Sequence, residues 1–160
     1  MLTMFFLRTT HVAGVFALAL SLGLLQKCNS TPPEYETFYA QSWDSQRQEA
    51  KSFPIEKQID YYLAGRRYFH PPYQSLLPLI AERGKAAVPP LIEKMKQADN
   101  DYVRMDLLDI VRNIDQFHAD LGDDKPLLES LRQVVNRTTN VDRKAKAQAV
   151  LKEIVENKRP

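Results

Sequence analysis

Cysteine is almost missing from this chain of 160 residues: Cys28 stands alone, so an internal disulfide and any multi-cysteine zinc site are excluded. Glycine is scarce, with five residues, and no phosphate-cradling glycine loop can be found. The three histidines, His11, His70 and His118, do not fall at metal-ligand spacing. A Gly-x-Ser-x-Gly nucleophile elbow is lacking too. Net charge is nearly absent as well. The formal +2 comes from Arg8 and Lys27 within the first thirty residues, and the remaining 20 bases meet 20 acids. That balance argues against nucleic acid as a partner, because the part that would touch phosphates is neutral. Together these shortages point away from an enzyme and from any cofactor.

What is present begins with one apolar run, Val12 to Leu25, fourteen residues long. It matches the apolar region of an export signal and is short for a membrane span of about 20 residues. Residues 1–27 are therefore expected to be a signal peptide or an uncleaved hydrophobic helix that anchors the chain. Cys28 follows where a bacterial lipoprotein carries its lipidated cysteine, although Gln26 and Lys27 replace the small residue such proteins have there. Secretion, anchoring and lipidation at Cys28 all lead to the cell envelope, in the periplasm or on the outer face of a membrane. Membrane contact is expected only through this segment.

Residues 28–54 read as a linker followed by an N-terminal capping helix. Tyr35, Tyr39 and Trp43 fall four apart with Phe38 beside them, which places them on one helical face. That stripe would cover the open side of the domain, or would take a peptide.

From residue 55 to 160 apolar residues recur at three and four residue intervals, and strand-type alternation is lacking. The fold expected is all-α. Ile55, Ile59, Tyr62 and Leu63 mark one helix; Leu76, Leu77 and Ile80 mark a second, opened by Ser75 and stopped by Gly84. Val88, Leu91, Ile92 and Met95 mark a third, with Pro89 and Pro90 in its first turn, where a missing N–H costs little. The Asp99-Asn-Asp101 run breaks the chain and supplies cap oxygens for a fourth helix carrying Val103, Leu107, Ile110, Val111 and Ile114. Pro126 opens a fifth helix, and Thr138-Thr-Asn140 a sixth, giving three helix pairs. His118 with Asp120, Asp123 and Asp124 lacks the ordered oxygen spacing of a calcium loop and reads as a solvated connection.

Arg104 recurs as Arg143, each three residues after a capping residue, Asp101 and Asn140. Gly84-Lys-Ala-Ala-Val-Pro-Pro-Leu-Ile92 followed by Asp99-Asn-Asp-Tyr-Val-Arg104 resembles the HEAT repeat, particularly the short HEAT-like repeats of bacterial proteins and phycobilin lyases. The resemblance covers Gly84 to Ile114 well and Pro126 to Val155 fairly. It implies a short right-handed α-solenoid of about three HEAT-like hairpins after the N-terminal hydrophobic helix, a protein-binding role, and structural duties for Gly84, Pro90, Asp101, Arg104 and Arg143 in steadying the repeats.

Two surface features carry the functional expectation. Asp109 and Arg112 lie on the second helix of the best-matched pair, whose kind would form the inner face of a stack and bind another protein. Gly65 to Tyr73 reads as a connection between helices in which Arg66, Arg67, Tyr68, His70 and Tyr73 combine cations with stacking rings. The function expected is a non-catalytic scaffold or adaptor of the cell envelope. The alternative is a small-ligand or cell-wall binding module built on the Arg66 to Tyr73 segment.

Overall fold

A computed structural model describes residues 31–69, 76–118 and 120–156. The chain divides after Pro33, and the unit Glu34–Pro160 is the one considered below. The export or anchor segment 1–27, the N-terminal hydrophobic helix expected within it, and Cys28 lie outside the described residues. Among the described residues there is no strand. Nor does any helix there have the length and apolarity to cross a membrane.

Among the described residues eight α-helices follow in order: α1 Pro33–Tyr39, α2 Trp43–Ala50, α3 Ile55–Tyr68, α4 Leu77–Ala81, α5 Val88–Gln97, α6 Asp101–Phe117, α7 Lys125–Asn136 and α8 Val141–Glu156. A 3₁₀ turn, Gly84–Ala87, leads into α5. Gly84 sits at φ 59°, the left-handed region open to glycine, and so lets the chain turn between α4 and α5.

The starts of the last three long helices follow side-chain chemistry. Asn100 accepts a hydrogen bond from the Val103 N–H at 3.0 Å, Asp124 from Leu127 N–H at 3.1 Å, and Asn140 from Arg143 N–H at 3.0 Å. Each satisfies a first-turn donor that the helix itself cannot pair. Further upstream, two fully buried glutamines close the ends of α1 and α2. Gln46 donates to the carbonyls of Gln41 and Tyr39, and Gln58 donates to that of Ala50 at 2.7 Å. The Ala50 carbonyl is shared with the Phe53 N–H at 3.1 Å, so the glutamine amide adds a second donor at that helix end.

Packing joins α5 to α6 and α7 to α8, while α5 lies on α7 and α6 on α8. The short α4 packs on α6, and α3 rests on α4 and α5. The core runs through all of them. Ile59, Ile80, Leu91, Leu107, Ile110, Ile114 and Leu131 have no accessible surface. The apolar stripe of α6, read from spacing alone, is the centre of this core, since it meets helices on both sides.

Two expectations need correction. Gly65, Arg66, Arg67 and Tyr68 are the last turn of α3, not a connecting loop; the chain becomes extended only at Phe69. The aromatic stripe is likewise not one helix. Ser42 starts α2 by capping Ser45 N–H, so the helical register is broken between Tyr39 and Trp43. Tyr35, Phe38 and Tyr39 turn inward against Tyr61, Tyr68 and Phe69, with Phe38 and Tyr61 edge to face at 4.8 Å between centroids, whereas Trp43 is 61% exposed. Inward aromatics here bury area and gain from ring-edge contacts.

Candidate functional site

On α6 a polar stripe runs opposite the apolar one. Asp106, Asp109, Asn113 and Gln116 succeed one another at three and four residue steps, with Arg112 beside them. The last two turns of α3 bring Tyr62 and Arg66 to the same place, one helical turn apart. Leu77 at the start of α4 supplies an apolar wall. The result is an open cleft of about 230 Å³ lined by Tyr62, Arg66, Leu77, Asp109, Arg112, Asn113 and Gln116.

Ion pairing sets the electrostatics. Arg66 donates through Nη2 at 2.7 Å and Nε at 3.2 Å to Oδ1 of Asp106. That hydrogen bond, acting against burial, raises the guanidinium pKa. Arg112 Nη2 lies 3.0 Å from Asp109 Oδ1. Burial raises the carboxyl pKa of Asp109, Arg112 opposes the shift, and Asp106 adds to it. Burial also pushes the Tyr62 phenol well above its usual value, with Asp106 the next cause. Tyr62 therefore remains neutral, a potential donor at the inner end of the cleft. A perturbed carboxylate beside two arginines in a cleft is the kind of cluster that marks binding sites.

A second cleft, about 360 Å³, lies between α6 and α8. Arg112 and Gln116 line both clefts, so the two open on either side of one ridge of α6. Glu153 and Glu156 of α8 border the second, with Asp115 and Ile154 buried beneath. Asp115, only 1% exposed, accepts the Leu121 N–H at 3.0 Å and so belongs to the loop's scaffolding.

Of the residues expected to bind a partner, Arg66, Asp109 and Arg112 meet in the first cleft. Arg67 and Tyr68 face elsewhere: the Tyr68 ring lies 6.3 Å from that of Tyr35, and the Arg67 guanidinium sits 5.1 Å from the Tyr68 centroid. His70 and Tyr73 lie outside the described residues. Tyr62, Leu77, Asp106, Asn113 and Gln116 escaped the sequence reading. The polar stripe of α6 could have revealed three of them, whereas Tyr62 read as an ordinary core residue.

The residues assigned to the repeats have separate geometries. Arg104 donates to Asp101 at 2.7 Å and to the Ala98 carbonyl at 2.6 Å, closing the turn before α6. The other oxygen of Asp101 accepts from Thr139 N–H and hydroxyl and from Asn140 N–H, all between 2.9 and 3.0 Å. This carboxylate thus joins the turn before α6 to the turn before α8. Arg143 does not repeat the pairing of Arg104, because the residue three before it is the neutral Asn140; its guanidinium lies 3.5 Å above the Tyr102 ring instead. Pro90 lies in the first turn of α5. Around His118, Asp124 pairs with Lys85 at 2.6 Å and Asp120 accepts the Gly122 N–H. Among the described residues, no group of three or more His, Cys, Asp or Glu side chains is arranged to hold a metal ion.

Comparison of the chain with protein-family models, with curated proteins and with solved structures finds no match.

Proposed function

We propose that this chain is a non-catalytic interaction module made of HEAT-like helical hairpins, exported to the cell envelope, which docks another protein along the face that α4, α6 and α8 share. The observation that carries this reading is the pair of open, polar clefts meeting at Arg112 and Gln116 of α6. Shallow continuous surfaces of this kind suit a polypeptide, whereas drug-sized ligands are usually enclosed in deep and mostly apolar pockets. Support for the repeat architecture comes from α5 lying on α7 and α6 on α8, since like helices meet like in stacked hairpins. The apolar run before Cys28 supports the envelope location.

A photo-crosslinking residue at Gln116, compared with one at Gln133 on the exposed side of α7, tests the reading in cells of the source organism. A discrete adduct of protein mass is expected from position 116 and not from 133. Equal labelling from both, or none from 116, sinks it. Arg66 in the first cleft favours the second reading, a small-ligand or cell-wall binding module on the Arg66 to Tyr73 segment. The same experiment separates the two, because a small ligand leaves no adduct of protein mass.

A further inference from the structure

We infer that the cleft between α3, α4 and α6 is a carboxylate-binding subsite, in which Arg66 and Arg112 receive the side-chain carboxylate of an acidic residue in the docked protein segment. The inference deepens the docking reading and rests on it for the source of the carboxylate.

Four observations lead there. First, Arg66 commits Nε and Nη2 to a single oxygen of Asp106, which leaves its Nη1 without a partner among the described residues. Guanidinium groups present five donors in a fork suited to carboxylates, so that remaining edge is available to an oxygen ligand. Second, Arg112 holds Asp109 through one contact at 3.0 Å, and both side chains keep about two fifths of their surface, 39% and 41%. The pair is open to exchange. Third, Asp109 faces Arg112 and Asp106 on its own helix and Arg66 and Tyr62 across from α3; burial and Asp106 disfavour its charge. A ligand carboxylate would take over a cation whose present partner is poorly stabilised. Fourth, the neighbouring cleft is bordered by Glu153 and Glu156. Their charge repels an acidic residue from that side and so directs it toward the Arg66 end, fixing the orientation of the bound segment.

The test uses the full chain labelled with ¹⁵N at arginine, titrated with N-acetyl-Ala-Glu-Ala-amide, its Gln counterpart and sodium acetate. The Nε–H signals of Arg66 and Arg112 are expected to shift saturably with the Glu peptide and not with the Gln peptide. Arg112→Gln should weaken binding by about fivefold or more, as loss of a charge-assisted hydrogen bond requires. Asp109→Asn should strengthen it instead, because the competing anion is gone. A residue that only held the fold together would not produce opposite signs at these two positions. Equal shifts at the exposed Arg132 and Arg137, or an equal response to the Gln peptide, would each overturn the inference, whereas acetate binding as tightly as the Glu peptide would keep the carboxylate subsite and remove the protein segment as its source. If the peptide binds while Gln116 gives no protein adduct in cells, the subsite stands and the docking reading falls.

Discussion

Asp101 gathers four hydrogen bonds on one carboxyl group that is 7% exposed: one from Arg104, two from Thr139 and one from Asn140. Donors aimed at both oxygens favour the charged form, and the carboxyl pKa is held below its ordinary value, with the Asn140 N–H the largest cause. The sign of the linkage follows. A carboxyl group with a lower pKa folded than unfolded stabilises the fold fully above the unfolded value, near 3.8, and loses that contribution as pH falls through the folded value. Asp101→Asn should therefore lower Tm at neutral pH and flatten the acid limb of a stability–pH profile, while Asp142→Asn, on an exposed side chain, should leave both nearly unchanged. Thermal melts by circular dichroism across the acid range check it. The sequence marks Asp101 as the capping residue before Arg104, whereas the cap is Asn100 and Asp101 is the first residue of α6. Its reach to Thr139 was illegible, because a contact across 38 residues has no local signature. The 39-residue echo of Arg104 at Arg143 was visible, but its meaning depended on the partner three residues earlier, carboxylate in one case and amide in the other.

Among the elements, α3 shows where periodicity misleads. Gly65 followed by two arginines and two aromatics reads as a helix end, yet the helix continues through Tyr68. Gly65 is there for a neighbour's sake. A Cβ at this position would come within 2.8 Å of Cζ of Tyr39 and closer still to its hydroxyl oxygen, which itself donates to the Tyr61 carbonyl at 2.5 Å. Helix propensity alone would have Gly65→Ala stabilise by about 1 kcal/mol. Overpacking typically costs about 1 to 3 kcal/mol. The clash should win, so Gly65→Ala should lower the denaturant midpoint, and a rise would show that Tyr39 can move aside. By contrast, the apolar face of α6 was largely legible: Leu107, Ile110, Val111 and Ile114 are fully buried, and Val103 is partly buried against the core. The site on its opposite face was only half legible. Asp109 and Arg112 stood out as charges, but the cleft exists because Arg66 arrives from forty residues away in sequence to pair with Asp106.

Across the whole molecule, cohesion is unevenly shared. α6 touches α4, α5 and α8, whereas α7 and α8 close one end and leave a shallow groove of about 350 Å³ bordered by Arg132, Val135, Leu151 and Val155. A helix packed on three others is held on more sides than one packed on two, as α8 is on α6 and α7. Native-state hydrogen exchange should find α8 opening at lower free energy than α6, and Asp101→Asn should widen that gap by releasing the Thr138 to Asn140 turn. Identical opening energies for both helices would indicate a single cooperative block.

One tryptophan serves the entire chain, and it sits 61% exposed at the first position of α2, while tyrosines crowd the interior beside it. An indole this exposed should already emit much as a hydrated one does, so melting the core should scarcely alter its colour. The lone fluorophore is thus a poor witness to denaturation and a good one to whatever settles on the surface of that short N-terminal helix.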